Sequence, residues 1–227
     1  MELKYILVLG VKFTSIILGL LSILFLNRLD SYNRFIGYYA ILVGVFETIA
    51  HVIKSILHMN NLQGLHLYTL LEFIILSQFF YLILKKLELK IPIKIIIFLG
   101  SFLIIFNSLF LQPLSNFPSN SRLGVEIFII AMCITVYILL LKNIKEKKIF
   151  QASIIFISAI FLKSSLSSVL YLFSNSIMRM EPPLRDQLWG FRGFINLISI
   201  IMIFMAFVLI LRQSFGEKEP ITKFKDA

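Results

Sequence analysis

The chain has 227 residues, of which 59% are hydrophobic and only 15% charged, and its mean hydropathy is +0.92; an average soluble domain is about a quarter charged. Uninterrupted apolar stretches recur from end to end and must face lipid, which excludes a soluble globular domain, a disordered chain and a coiled coil. The formal charge of +10, from 22 Lys and Arg against 12 Asp and Glu, is therefore read first as a distribution over loops rather than as affinity for nucleic acid.

In chain order, seven segments reach the roughly 20 residues needed to cross a hydrocarbon core: 5–26, 36–58, 66–84, 92–111, 123–141, 150–173 and 188–211. The first follows Met1-Glu2-Leu3-Lys4 without a small-residue cleavage site, so it reads as a span rather than a signal peptide. The connectors carry turn or breaker chemistry: Asn27 to Asn33, Asn60-Asn61-Gln63-Gly64, Lys85 to Pro92, Gln112-Pro113 to Pro118, and Glu181-Pro182-Pro183. Continuous runs of this length do not suit alternating barrel strands, and backbone groups in lipid must be satisfied within each segment. The expected fold is all-α, a single seven-helix transmembrane bundle over 1–211, followed by a short basic tail over 212–227 that is too small to fold alone. The lone Cys133, in the run AMCITVY, allows no intramolecular disulfide and reads as a small buried apolar residue.

Basic residues set the expected orientation. One side collects fourteen: Arg28 and Arg34; Lys85, Lys86, Lys90 and Lys94; Lys142, Lys145, Lys147 and Lys148; Arg212, Lys218, Lys223 and Lys225. The other side has four, Lys4, Arg122, Arg179 and Arg185. The positive-inside rule then places the N-terminus outside and the C-terminus in the cytoplasm of a multi-pass inner-membrane protein. Basic loops against anionic headgroups account for the net charge with no nucleic acid as partner.

Ionisable residues within spans are expensive and mark function by default. Glu47, His51, Lys54 and His58 share one face of the second span, at i, i+4, i+7 and i+11. The third span brings His66, Tyr68, Thr69 and Glu72, and the fifth opens with Arg122 and Glu126 at i,i+4 spacing. The seventh places Trp189, Arg192, Asn196 and Ser199 on a common face, while Lys12, Asn107 and Lys163 come from the first, fourth and sixth. Nearly all of these fall at the midplane or in the outer half, whereas the inner halves are almost purely apolar. That pattern predicts an outward-facing polar pocket for a small ligand, formed by Glu47, His51, Glu72, Asn107, Glu126, Lys163, Arg192 and Asn196. Against it stand plainer roles: snorkelling for Arg122, Arg192 and Lys54, headgroup positions for His58 and His66, belt positions for Tyr68 and Trp189, and interhelical hydrogen bonding for Asn107 and the sixth-span serines.

A metal site built from His51, His58 and His66 has a weak signal. His51 and His58 lie about 10 Å apart along the helix axis, and no HExxH pattern accompanies them, so an intramembrane metallohydrolase ranks low. No serine has the Gly-flanked turn of a hydrolase nucleophile, Cys133 lacks a nearby base, and a retinal protein would need a lysine that the seventh span does not contain. No pattern calls for a cofactor, and an enzyme is disfavoured. Deep carboxylates and a histidine suit a proton-coupled transporter, but the matched Gly- or Pro-broken segments of inverted repeats are absent.

Tyr68-Thr69-Leu70-Leu71-Glu72-Phe73, then Phe106-Asn107-Ser108-Leu109-Phe110, Glu126, Leu188-Trp189 and Ile195-Asn196 resemble the pattern of uncharacterised seven-helix membrane proteins of Bacteroidota. Those proteins resemble the membrane sensor portion of histidine kinases or occur near such kinases. The resemblance covers the second to seventh spans and implies sensing. It departs from that pattern in having no fused kinase region, which implies a partner chain such as a histidine kinase, contacted through the 85–94 and 142–148 loops and the tail.

Overall fold

The computed structural model of the protein describes residues 2–58, 60–89, 92–142 and 151–216. Its long helices are α1 (Glu2–Phe25), α2 (Asn33–Ser55), α3 (Leu62–Lys86), α4 (Ile93–Phe106), α5 (Ser119–Lys142), α6 (Gln151–Leu172) and α8 (Pro182–Gly216), with a five-residue α7 (Ser174–Met178) before the last. No strand occurs among the described residues, and seven helices are long and apolar enough to cross a membrane. Large apolar side chains cover the outside: Phe98 is 72% exposed and Phe110 71%. Such a surface is stable in hydrocarbon and not in water.

Six of the seven long helices close a ring in which α1 packs on α2, α2 on α3, α3 on α5, α5 on α6, α6 on α8, and α8 back on α1. Helix α4 lies outside the ring against α3, and only Ile93 and Ile104 of its residues are buried. Glycines shape the α1–α2 and α3–α4 seams. A Cβ on Gly44 would meet the Ser15 carbonyl oxygen at 2.8 Å and the Gly19 Cα at 3.3 Å, so α1 and α2 meet through small residues, as packed membrane helices commonly do. A Cβ on Gly100 would fall 2.3 Å from Phe73 Cζ, so the Phe73 ring of α3 fills the place of an α4 side chain.

Several helix ends differ from the hydropathy reading. Helix α3 starts at Leu62 rather than 66, and α8 at Pro182 rather than 188. Prolines are tolerated in a first turn, where their missing N–H is not needed, so Pro182 and Pro183 open α8 instead of ending a connector. At 1.5 Å per residue, its 35 residues extend about 52 Å, beyond a hydrocarbon core of about 30 Å. Helix α3 ends in a Schellman turn. The Leu89 N–H donates to the Leu84 carbonyl at 2.9 Å and Glu88 stands at φ 61°, a place where glycine is usual. After α4, residues Asn107–Leu111 form a π turn closed by the Gln112 N–H on the Asn107 carbonyl at 2.7 Å. The loop 143–150, the tail 217–227 and the side chain of Lys54 lie outside the described residues.

At the end of the ring nearer the 26–32 and 87–92 connectors, the interior is apolar. Phe79, Phe80, Phe156 and Phe207 are fully buried there, and Phe79 meets Phe156 edge-on at 4.8 Å between centroids. Towards the opposite end the interior turns polar.

Candidate functional site

The polar interior is organised by Glu72. Its carboxylate, fully buried on α3, accepts hydrogen bonds from four side chains on four helices. The Arg122 guanidinium of α5 binds Oε2. Lys163 Nζ of α6 donates to Oε1 at 2.5 Å, and the hydroxyls of Tyr68 and Tyr39 donate to the same oxygen at 3.0 and 3.2 Å. Removing an ion from water costs several kcal/mol, and a carboxylate with this many donors recovers much of that cost. Lys163 also donates to the Tyr39 hydroxyl at 2.8 Å.

Arg122 is equally buried. It donates to Glu126, one turn on along α5, at 3.2 Å and to the Tyr171 hydroxyl at 3.3 Å. Its charge lies over the rings of Tyr68 and Tyr171, 5.2 and 5.3 Å from their centroids. Two carboxylates, Glu72 and Glu126, are thus balanced by two cations, Arg122 and Lys163, in a network that ties α2, α3, α5 and α6 together. Arg192 of α8 joins it through a single contact, donating to the Tyr171 hydroxyl at 2.5 Å.

Beside this network lies a cavity of about 150 Å³, lined from every ring helix: Val11 of α1, Glu47 of α2, Tyr68 of α3, Arg122 of α5, Lys163 of α6, and Arg192 with Asn196 and Ser199 of α8. Two of its charged side chains stand apart from the network's ion pairs. Glu47 makes no hydrogen bond or ion pair with any described residue, and no described carboxylate lies within 4.0 Å of the Arg192 guanidinium. Arg192 Nε, Asn196 Oδ1 and Ser199 Oγ are buried without a hydrogen-bond partner among the described residues. Buried polar atoms are seldom left so.

The sequence-predicted pocket residues therefore fall into three groups. Glu47, Lys163, Arg192 and Asn196 line the cavity. Glu72 and Glu126 stand behind the lining, holding Arg122 and Lys163 in place. His51 and Asn107 lie elsewhere. His51 faces outward on α2, with Lys12 Nζ 3.1 Å from its Nδ1. The π turn swings Asn107 towards α5, where its amide donates to Ser121 Oγ at 2.7 Å and Gln112 Oε1 at 3.1 Å.

The histidines are likewise dispersed. His66 is buried, with Nδ1 2.8 Å from Ser108 Oγ and Nε2 3.0 Å from the Asn116 carbonyl, so it pins the α4–α5 connector instead of lying among headgroups. His58 is exposed just after α2 at φ 52°. Among the described residues no three His, Cys, Asp or Glu side chains come together as metal ligands would. Cys133 packs in the core with Sγ 3.8 Å from the Ile157 carbonyl.

Arg122, Tyr39 and Tyr171 were not among the residues expected to shape the site. Arg122 sits where a snorkelling residue would sit, and its only sequence signal is the i,i+4 partner Glu126. The tyrosines carry a fainter signal, namely that a hydroxyl in mid-span needs a partner. No protein-family model matches the chain, and no curated protein or solved structure matches it either.

Proposed function

We propose that the protein is an inner-membrane sensor or signalling component that takes a small polar ligand from the outside into the ring cavity and acts through a partner chain. The observation that carries this reading is the cavity itself, walled by all six ring helices and lined by a carboxylate and a guanidinium that form no ion pair among the described residues. A ligand that engages Arg192 competes with its hydrogen bond to Tyr171, which is also the point where Arg122 and the buried network are reached. Occupancy can in this way alter how α8 sits against α6, the kind of two-state element that signalling requires. On this reading the basic loops and tail face the cytoplasm and meet the partner, in keeping with the resemblance to kinase sensor portions.

Proton-coupled transport is the second reading, favoured by one observation: Glu47 is a cavity carboxylate that forms no ion pair among the described residues, as proton carriers often do not. Fully buried phenylalanines close the ring beyond the charge network, which favours reception over passage. Purified protein in proteoliposomes separates the two. Saturable solute binding with no uptake under an imposed pH gradient is expected, and solute accumulation driven by that gradient would sink the sensor reading.

A further inference from the structure

We infer that the ring cavity recognises a small zwitterion, an aliphatic amino acid, whose carboxylate lies on Arg192 and whose ammonium group faces Glu47 and Asn196. The inference rests on the ligand-binding reading above and adds the chemical class of the ligand. Its first support is the charge arrangement. Four charged side chains line the cavity, but Arg122 and Lys163 are already consumed by Glu72. Of the lining charges, Glu47 and Arg192 remain, with no ion pair between them or to another described residue; Lys12 of α1 acts on Glu47 from outside the lining. A ligand carrying both signs satisfies both; a simple anion leaves the carboxylate unpaired and a simple cation leaves the guanidinium so.

The second support is the set of unpartnered atoms. Arg192 Nε is a donor suited to a carboxylate oxygen, Asn196 Oδ1 is an acceptor suited to an ammonium group, and both are buried without a partner among the described residues. Arg192, Asn196 and Ser199 lie at i, i+4 and i+7 on one face of α8, across the cavity from Glu47 of α2. The third is size and the rest of the lining. A cavity of this volume holds a molecule of roughly six heavy atoms, and Val43, Ile53, Ile200 and Ile203 leave room only for a short apolar side chain.

The test uses the full chain in lipid nanodiscs, with ligand binding read from the concentration dependence of thermal unfolding. The probes are L-alanine and glycine as zwitterions, and acetate and ethylammonium as their separate halves. Expected are saturable binding of a zwitterion and at least tenfold weaker binding of either half. Glu47→Gln should abolish the preference for alanine over acetate, a ratio that a merely structural role would not move. Arg192→Gln should abolish both, and if that variant does not fold, the ratio in Glu47→Gln decides alone. Equal binding of acetate and alanine by the unaltered protein, an unchanged ratio in Glu47→Gln, or no binding of either zwitterion overturns the inference. Acetate binding as tightly as alanine, with no uptake into proteoliposomes, would remove the zwitterion and leave the sensor reading standing. Alanine accumulation would do the reverse.

Discussion

Glu72 and Glu47 are two carboxylates in neighbouring spans, both walled by the same ring, and they live in opposite circumstances. Glu72 is fully buried and receives four side-chain donors. Glu47 is half-buried at the cavity and receives none from the described residues. A buried charge that meets its partners inside the protein is part of the scaffold, because removing either side leaves an uncompensated ion. A charge that the protein leaves unpaired adds nothing to the scaffold and is free for something that arrives. The contrast separates the network that holds the ring together from the side chains that are left to bind.

The largest expected effect comes from the closed set. Glu72→Gln leaves Arg122 and Lys163 with one remaining carboxylate, Glu126, that reaches only Arg122. Breaking a buried pair in this way costs about 3–5 kcal/mol, so thermal unfolding in detergent should shift steeply downward. Combining it with Lys163→Met should recover part of the loss, since the second change removes a cation that the first leaves unpaired. A Glu72→Gln protein as stable as the original would show that the network carries no structural weight.

Next in size is the seam that stations Glu47. A Cβ at Gly44 would stand 2.8 Å from a backbone oxygen of α1, which cannot move aside as a flexible side chain could. Gly44→Leu should cost about 1–3 kcal/mol, as overpacking does, and should also weaken ligand binding by moving the Glu47 end of α2 away from α8. Gly124 of α5, which has nothing near its absent side chain and does not line the cavity, is the control: Gly124→Ala should leave binding unchanged and should not destabilise the protein, since alanine is the better helix former.

How far this division could be read from the chain differs by residue. The spans were legible because a helix in lipid has to advertise itself in continuous apolar sequence. The place of α4 outside the ring has a trace as well: IIIFLGSFLIIF contains no ionisable side chain, as befits a helix that contributes none to the interior. Glu72 stood out as a deep carboxylate. Its partner Arg122 did not, because nothing local tells a residue near a helix end whether it will snorkel outward or be drawn in by a carboxylate fifty positions away. Asn107 illustrates the reverse limit. Helical spacing cannot foresee a π turn, and the extra residue in that turn points the amide at Ser121 rather than at the cavity.

The link between the two sets can be cut without touching any charge. Tyr171→Phe keeps the ring that packs on Arg122 and Phe117 and removes only the hydroxyl shared by Arg122 and Arg192. Hydrogen bonds to charged groups contribute about 1.5–3 kcal/mol, but both guanidinium groups keep other neighbours, so a loss of about 1–2 kcal/mol is expected in the unfolding transition. If the hydroxyl carries the response to ligand, the variant should still bind zwitterion while cross-linking between cysteines placed on α8 and α6 no longer changes with ligand. Cross-linking that still responds would place the coupling elsewhere.

The smallest effect has the opposite sign and bears most directly on the comparison. Glu47→Gln removes a half-buried charge that no described side chain contacts, so stability should stay level or rise by up to about 1 kcal/mol, because an uncompensated carboxylate is itself a burden in a low-dielectric interior. The same amide substitution at Glu72 and at Glu47 would then shift unfolding in opposite directions while only the second leaves a stable protein that no longer prefers a zwitterion to an anion. Were Glu47→Gln to destabilise the protein as Glu72→Gln does, Glu47 would belong to the scaffold, and the cavity would keep no anion with which to meet a ligand.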